Sequence, residues 1–360
     1  MSNMSEKSEK CITLADYEIK MGVAATHLSN YLSSHEYSRV FVLVDENTYR
    51  DCYPKIAEVL SNKKAHLIQI SSGEINKNIN TCQYIWSQLM EQEADRKALM
   101  INLGGGVIGD MGGFCASTYK RGIDFLQIPT TLLSQVDASI GGKLGIDFQE
   151  VKNSIGLFKN PKTVLVDSTF LETLSKREVR SGLAELIKHG LIADEAAWKA
   201  LLNIENIQKV DWAPLVYDSL LIKQKIVTED PFEKGIRKSL NFGHTVGHAV
   251  ESHALQGDRP FLHGEAVAIG MVVEAFLSHK VLGLEKEAVS SISSYVKKIY
   301  GFHPIKESDF DVLLRWMRQD KKNDGQGINF SLLPKIGAVE VNQICDSSMI
   351  IEGLYFYNEG

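Results

Sequence analysis

The stretch Ala98-Leu99-Met100-Ile101-Asn102-Leu103-Gly104-Gly105-Gly106-Val107-Ile108-Gly109-Asp110 joins a continuous apolar run directly to a glycine-rich turn. Such a run is typical of a strand that is buried on both faces of a parallel sheet. A similar run, Arg39–Val44, precedes it and ends at Asp45. Ala65–Ile70 is a second strand candidate, and Thr81–Gln92 after it has helical spacing. This alternation predicts an α/β domain with a Rossmann-like, doubly wound parallel sheet.

The second half of the chain has a different pattern, in which apolar residues recur with helical spacing and little strand signal separates them. These stretches are 178–192, 211–229, 244–255, 263–282, 286–299 and 308–319. The sequence therefore predicts a flexible tail over 1–10, an α/β domain over 11–175 and a mostly helical domain over 176–360.

Composition limits the class of protein. At 360 residues the chain is long enough for two domains with separate cores, and its net charge of −6 without a basic run argues against nucleic acid as a partner. Five scattered cysteines without CxxC spacing are typical of reduced thiols in a cytoplasmic protein. The first ten residues lack the apolar core of a signal peptide, and no apolar run approaches the ~18 residues of a membrane span.

The glycine-rich turn is a candidate nucleotide site. Gly104, Gly106 and Gly109 satisfy G-x-G-x-x-G between a strand and a helix, where backbone N–H groups can approach a pyrophosphate. Asp45 ends the first predicted strand and can bind a ribose hydroxyl, and Gly73–Lys77 can add further contacts. The pattern is also compatible with a tight turn alone, and it does not follow the first strand as the usual fingerprint does. Both interpretations remain open on spacing alone.

A cluster of histidines is a candidate metal site. Four of the ten histidines lie between positions 244 and 263, and His244 and His248 are one helical turn apart. Together with His263 and the carboxylate of Glu185, which lies in an apolar helical stretch, they can supply the ligands of a divalent ion. The alternative is that the histidines cap helices or satisfy hydrogen bonds in the core.

A third group consists of cations and polar side chains in glycine-rich or apolar surroundings. Its members are Arg121, Asp137, Lys143, Lys152, Asn153, Lys188, Lys223, Arg237 and Asn241. Cations that converge on a pocket recognise anions, whereas any one of them alone is more often a solvated surface charge.

Taken together, these motifs resemble the 3-dehydroquinate synthases of the sugar phosphate cyclase superfamily. The resemblance runs from about Val40 to about Gly337. Its landmarks are Gly104–Asp110, Pro129–Leu133, Val136–Lys143, Lys152-Asn153, Ala184–Lys188, Gly235–His248, His263–Glu265 and Asp320–Lys322.

The resemblance implies roles for individual residues. It makes Glu185, His244 and His263 ligands of Zn²⁺, a site that Co²⁺ can also fill, and it places His248 beside the metal as a polar group. The residues implied to surround NAD are Asp45, Asn47, Glu74, Lys77, Gly105, Gly106, Val107, Asp110, Thr130, Thr131, Lys143 and Lys152. The implied catalytic residues are His248, Lys143, Lys188, Asn241 and Asp137. The implied substrate contacts are Arg121, Lys152, Asn153, Lys223, Arg237 and one of the pair Lys321 and Lys322.

The implied reaction converts 3-deoxy-D-arabino-heptulosonate 7-phosphate, a small acidic sugar phosphate, into 3-dehydroquinate and phosphate. It proceeds by transient oxidation with NAD, β-elimination of phosphate, reduction and an intramolecular aldol closure. The resemblance also implies a homodimer in which Arg121 reaches the neighbouring subunit's substrate. Three alternatives stay open: another sugar phosphate cyclase of the inosose or valiolone type, a metal-dependent NAD polyol dehydrogenase, and a non-enzymatic NAD-binding regulator.

Overall fold

A computed structural model describes residues 10–138, 140–149, 151–255, 260–320 and 327–359. The chain divides into two compact units. The sheet unit comprises Met1–Ser175 and Trp212–Gln224, and the helical unit comprises Lys176–Asp211 and Lys225–Gly360. Trp212–Gln224 therefore clusters with the first unit, whereas the sequence predicted that it would lie in the second domain.

Among the described residues, the sheet unit contains five complete α-helices, the first part of a sixth (Trp212–Gln224) and nine strands. Its strands are β1 (Lys10–Thr13), β2 (Glu18–Met21), β3 (Val40–Asp45), β4 (His66–Ile70), β5 (Leu99–Gly104), β6 (Asp124–Pro129), β7 (Lys143–Phe148), β8 (Val151–Phe158) and β9 (Thr163–Val166). Its helices are α1 (Ala24–Ser34), α2 (Glu46–Asp51), α3 (Ala57–Asn62), α4 (Ile79–Glu91) and α5 (Gly106–Thr118).

Seven of these strands form one sheet in the order β1-β2-β9-β6-β5-β3-β4, in which every neighbouring pair except β1–β2 is parallel. The predicted α/β fold class is confirmed. The predicted tail is too long by one residue, because Lys10 pairs with Met21 at the start of β1, and residues 1–9 lie outside the described ones.

The apolar strands are explained by cores on both faces of the sheet. On β3, Phe41 and Leu43 contribute to one buried cluster, while Val42 and Val44 contribute to the other. Because successive side chains on a strand point to opposite faces, a strand covered on both sides needs an uninterrupted apolar run. This requirement is why β3 and β5 were recognisable from sequence.

The antiparallel hairpin β7–β8 was not predicted. No residue of β8 is buried, so the strand lacks the apolar face that produces an alternating pattern. The turn that precedes β7 depends on Gly141 and Gly142, whose φ values of 91° and 64° favour glycine.

The helical unit is built around one central helix. Its elements are α6 (Lys176–Ala193), α7 (Glu195–Leu202), the end of α8 (Trp212–Glu229), α9 (His244–Ala254), α10 (His263–Leu282), α11 (Lys286–Tyr300), α12 (Phe310–Asp320), β10 (Ile328–Lys335), β11 (Ala338–Cys345) and α13 (Ser347–Glu359). The β10–β11 hairpin is a further element that helical periodicity did not predict. Within the described part of the chain, no helix combines the length and apolarity needed to cross a membrane.

α10 packs against α6, α9, α11, α13 and β10, and most of its residues are buried. Glycines allow α9 and α10 to approach very closely. A Cβ on Gly270 would lie 2.0 Å from the carbonyl oxygen of Gly243, and one on Gly264 would lie 1.9 Å from that of Ser181. These contacts hold the starts of α9 and α10 against their neighbours.

Trp212–Gln224 clusters with the sheet unit through specific polar contacts. The ammonium group of Lys223 lies 2.6 Å from Asp137 Oδ1, and Gln224 Nε2 donates to the carbonyl oxygen of Thr13 at 3.1 Å. The Lys10 ammonium lies 4.0 Å from the centre of the Tyr217 ring. Helical spacing predicts the helix but not which core it joins.

Candidate active site

Three helices of the helical unit bring the expected metal ligands together. Glu185 of α6 is fully buried, and its Oε1 lies 3.5 Å from Nε2 of His244 and 3.9 Å from Nε2 of His263. His248 joins the group, because ligand atoms of the three histidines all lie within 4.8 Å of one another. Glu185 Oε1 therefore lies near Nε2 of both His244 and His263, and His248 lies beside these two histidines.

Hydrogen bonds at Nδ1 define the tautomers of His244 and His263. His244 Nδ1 donates to the carbonyl oxygen of Phe242 at 3.1 Å, and His263 Nδ1 donates to Glu251 Oε2 at 3.2 Å. Burial lowers the pKa of His244 well below its usual value, and the nearby Lys188 ammonium lowers it further. The Nε2 lone pair of His244 is thus available at neutral pH.

A buried carboxylate on α10 positions the start of α9. Gly243, with φ of 80°, precedes His244, and Glu274 accepts hydrogen bonds from the backbone N–H groups of Gly243 at 2.6 Å and Val246 at 3.2 Å. These N–H groups belong to the first turn, where a helix offers no internal acceptor. Sequence reasoning missed Glu274, although an acid within an otherwise apolar helix was a usable signal.

The start of α10 is held by an ion pair. Arg177 donates from Nε and Nη2 to the two carboxylate oxygens of Glu265, at 2.8 and 2.6 Å. Glu265 also accepts from the N–H of Leu262 at 2.9 Å, and Ser181 Oγ accepts from the N–H of Gly264 at 3.1 Å. These bonds fix the backbone on both sides of His263. Arg177 was not predicted as part of the site.

Other predicted residues of the helical unit are also buried or hydrogen-bonded there. The Lys188 ammonium is 1% exposed and contacts Glu185 Oε2 one helical turn away. Arg237 is 2% exposed and donates to the carbonyl oxygen of Pro231 at 2.5 Å. Asn241 Nδ2 donates to Glu233 Oε1 at 2.8 Å, a partner that sequence reasoning had not singled out.

The loop before Arg237 is organised by Asp230. Its carboxylate accepts from the backbone N–H groups of Lys234 at 3.0 Å, Gly235 at 2.7 Å and Arg237 at 3.0 Å. Three donors converging on one carboxylate hold the loop in a single conformation and set the direction in which the Arg237 side chain begins.

In the sheet unit, the residues expected to surround NAD gather where parallel strands end. Asp45 ends β3, Gly105 follows β5, and Thr130 follows β6, so the carboxyl ends of neighbouring strands meet at one edge. α5 begins at Gly106, which presents the N-terminus of a helix there. Asp45 Oδ1 also accepts from the N–H of Thr48 at 2.7 Å and caps α2. Asn47 is exposed on α2.

A buried lysine links two predicted groups in this unit. Lys77 Nζ donates to Asp110 Oδ2 at 2.7 Å and to Asn153 Oδ1 at 2.6 Å. Burial alone would lower the pKa of Lys77, but the charges of Asp110 and Glu74 raise it, so the ammonium stays charged. Lys77 and Asp110 were expected near NAD and Asn153 near substrate, and the structure places all three in one network.

Of the remaining predicted site residues, some form ion pairs and others are exposed. Asp137 Oδ1 lies 2.6 Å from the Lys223 ammonium, and Lys152 Nζ lies 3.7 Å from Glu74 Oε1. Lys143 is exposed at the start of β7. Arg121 is exposed just before β6 begins, which puts it at the edge of the sheet opposite the strand ends described above. Lys321 and Lys322 lie outside the described residues.

Comparison with known proteins identifies relatives along nearly the whole chain. The family model described as 3-dehydroquinate synthase N-terminal matches residues 67–181, and that described as 3-dehydroquinate synthase C-terminal matches residues 182–323. A 3-dehydroquinate synthase from Parabacteroides distasonis is 44% identical over 336 residues, which cover 93% of this chain and 95% of the relative.

Solved structures with the same fold include two other synthases. A 2-epi-5-epi-valiolone synthase from Streptomyces hygroscopicus subsp. jinggangensis, with NAD⁺ and Zn²⁺ bound, superposes with a TM-score of 0.83 at 24% identity, covering 97% of this chain and 99% of its own. A 2-deoxy-scyllo-inosose synthase complexed with carbaglucose-6-phosphate, NAD⁺ and Co²⁺ gives 0.82 at 23% identity, covering 96% and 99%. At these identities the likeness shows the fold alone.

Proposed function

The chain belongs to the 3-dehydroquinate synthase family, and on that premise we propose that it converts 3-deoxy-D-arabino-heptulosonate 7-phosphate into 3-dehydroquinate and phosphate. It would act as a carbon–oxygen lyase in the shikimate pathway to aromatic amino acids. The observation that carries the proposal is the convergence of Glu185, His244 and His263 beside the buried ammonium of Lys188.

The donor set fits Zn²⁺, and Co²⁺ suits the same ligands. Within the described parts of the chain, Glu185 Oε1 accepts no hydrogen bond although it is fully buried, and it faces two Nε2 atoms. A buried carboxylate oxygen left in this state is costly unless a cation binds it. A divalent metal supplies Lewis-acid polarisation of substrate oxygens when bound.

The strand ends of the sheet unit fit NAD. Gly105 and Gly106 leave room at the start of α5, where a helix N-terminus and its N–H groups favour a pyrophosphate. A Cβ on Gly105 would lie 3.0 Å from Thr131 Cγ2, so a larger residue would crowd this turn. When bound, NAD supplies reversible removal of a hydride from a carbinol carbon.

Buried cations in each unit fit an acidic substrate. Lys188 and Arg237 in the helical unit are 1% and 2% exposed, and Lys223 in the sheet unit is 4% exposed. Ammonium and guanidinium groups neutralise carboxylate and phosphate and hold a substrate in a reactive geometry. His248 is only partly buried beside His244, which supports a role in hydrogen bonding to substrate oxygens and in proton transfer.

The test of this function is to follow phosphate and NADH in the same reaction. With the heptulosonate phosphate and a small amount of NAD, phosphate should be released over many turnovers while the absorbance of NADH stays flat, because the hydride returns to the substrate. Accumulation of one NADH per substrate would instead establish the polyol dehydrogenase alternative.

We further propose a cytoplasmic homodimer in which Arg121 serves the partner's substrate. Its exposed position at the edge of the sheet away from Asp45 and Thr130 supports a role outside its own subunit's NAD site. An Arg121→Ala chain and a His263→Ala chain, each nearly inactive, should recover activity when they are unfolded and refolded together. Mixed dimers would then contain one intact site. Mixtures no more active than the separate variants would contradict the assignment to the partner.

A further inference from the structure

We propose that Glu251 is a positioning residue for the metal ligand His263. Its carboxylate holds the imidazole in the tautomer that carries its proton on Nδ1 and turns Nε2 toward Glu185. The proposal rests on the metal site proposed above, and it assigns a function to a residue that the sequence did not single out.

Glu251 lies on the same face of α9 as His244 and His248. His244, His248 and Glu251 occupy positions i, i+4 and i+7, which share one face of a helix. Glu251 is 4% exposed, and its Oε2 lies 3.2 Å from His263 Nδ1 on α10. One helix face therefore presents a metal ligand, an active-site histidine and the acceptor that orients a second ligand.

The chemistry of the contact determines the position of the proton. An ionised carboxylate only accepts hydrogen bonds, so Nδ1 of His263 donates and its Nε2 keeps a lone pair. That Nε2 lies 3.9 Å from Glu185 Oε1. A carboxylate behind a histidine also makes the ligand nitrogen more basic, which strengthens metal binding.

His244 provides an internal comparison. Its Nδ1 donates to the backbone carbonyl of Phe242, which no side-chain substitution can remove. His263, in contrast, donates from Nδ1 to the side chain of Glu251. If residue 251 served only to pack the core, an apolar side chain would be favoured there. A buried carboxylate is costly without a hydrogen-bonding partner.

The experiment compares Glu251→Gln and Glu251→Ala with the unmodified full chain. Zinc affinity is measured by competition with a chromogenic chelator, and the ligand field is measured from the visible absorption of the Co²⁺-loaded protein. We expect Glu251→Ala to bind Zn²⁺ about 10–100-fold more weakly and to shift the Co²⁺ bands. Glu251→Gln keeps an acceptor but loses the charge, so its zinc affinity should lie between that of the unmodified chain and that of Glu251→Ala.

Val250→Ala is the matched control, because Val250 is the neighbouring buried residue of α9 and carries no polar side-chain group. It should lower thermal stability while leaving zinc affinity and the Co²⁺ spectrum unchanged. Wild-type affinity and spectrum in both Glu251 variants would overturn the positioning role. If Glu251→Ala does not fold, the isosteric Glu251→Gln decides the question alone.

The His263→Ala variant distinguishes a failure of the positioning role of Glu251 from a failure of the metal site itself. Weak zinc binding in His263→Ala together with wild-type binding in the Glu251 variants would reject only the positioning role. Full zinc binding in His263→Ala would reject the ligand assignment on which it rests.

Discussion

Replacement of His263 by alanine should remove the bound metal and lower turnover by about a thousandfold or more. Losing one of three protein ligands leaves Glu185 and His244, too few for a stable site. A Lewis acid contributes several kcal/mol to stabilising the transition state, and each ~1.4 kcal/mol is a factor of ten in rate. Elemental analysis and steady-state kinetics measure the two losses.

The variant should remain folded. The His263 side chain is 28% exposed at the first position of α10, whereas the core-forming residues of that helix begin at Gly264. His253→Ala is the control, because His253 lies on α9 but pairs with Asp309 at 3.2 Å. It should keep both metal and turnover. A His263→Ala protein that retains stoichiometric metal would refute the ligand set.

The sequence predicted those parts of the fold in which apolar residues form a clear pattern. β3 and β5 were visible as continuous apolar runs, β4 was a strand candidate, and the long helices of the second half were visible from their 3.6-residue spacing. The hairpins β7–β8 and β10–β11 were missed. β8 has no buried face, and β10 is buried at five of its eight positions, four of them consecutive, so neither alternates in the way that identifies a half-buried strand.

The candidate site was predictable to the extent that its residues are unusual for their surroundings. Histidine clustering and a glutamate in an apolar helix pointed to His244, His263 and Glu185, while the division of roles came from the family resemblance. Glu251 was missed, and Glu274 was not assigned a partner despite its position in an apolar helix, because both make hydrogen bonds between helices. Spacing along one helix does not reveal such partners, which depend on how α9 and α10 pack.

The glycine-rich turn shows a different limit. G-x-G-x-x-G was compatible with both a nucleotide site and a tight turn, and the structure places it where the carboxyl ends of β5 and β6 meet. Asp45, expected to bind a ribose, uses one carboxylate oxygen to cap α2. A motif defines local backbone geometry, but the position of its partners depends on the order of strands in the sheet.

The largest expected effect concerns the choice of substrate. Lys188, Arg237 and Lys223 are cations with almost no exposed surface, and such groups are stable only with anionic partners. Lys188 and Lys223 contact Glu185 and Asp137. A substrate that carries both a carboxylate and a phosphate brings two further anions to such cations, whereas glucose 6-phosphate and sedoheptulose 7-phosphate carry the phosphate alone. A site built to pair a polar group of its substrate rejects an analogue that lacks it by about 10⁴-fold or more.

The most direct measurement is therefore phosphate release from 3-deoxy-D-arabino-heptulosonate 7-phosphate, glucose 6-phosphate and sedoheptulose 7-phosphate, assayed side by side with the metal-loaded enzyme and NAD. The heptulosonate phosphate should be turned over to 3-dehydroquinate, with kcat/KM at least about 10⁴-fold above that of the other two. A preference for glucose 6-phosphate or sedoheptulose 7-phosphate would contradict the shikimate-pathway assignment and indicate a cyclase of the inosose or valiolone type.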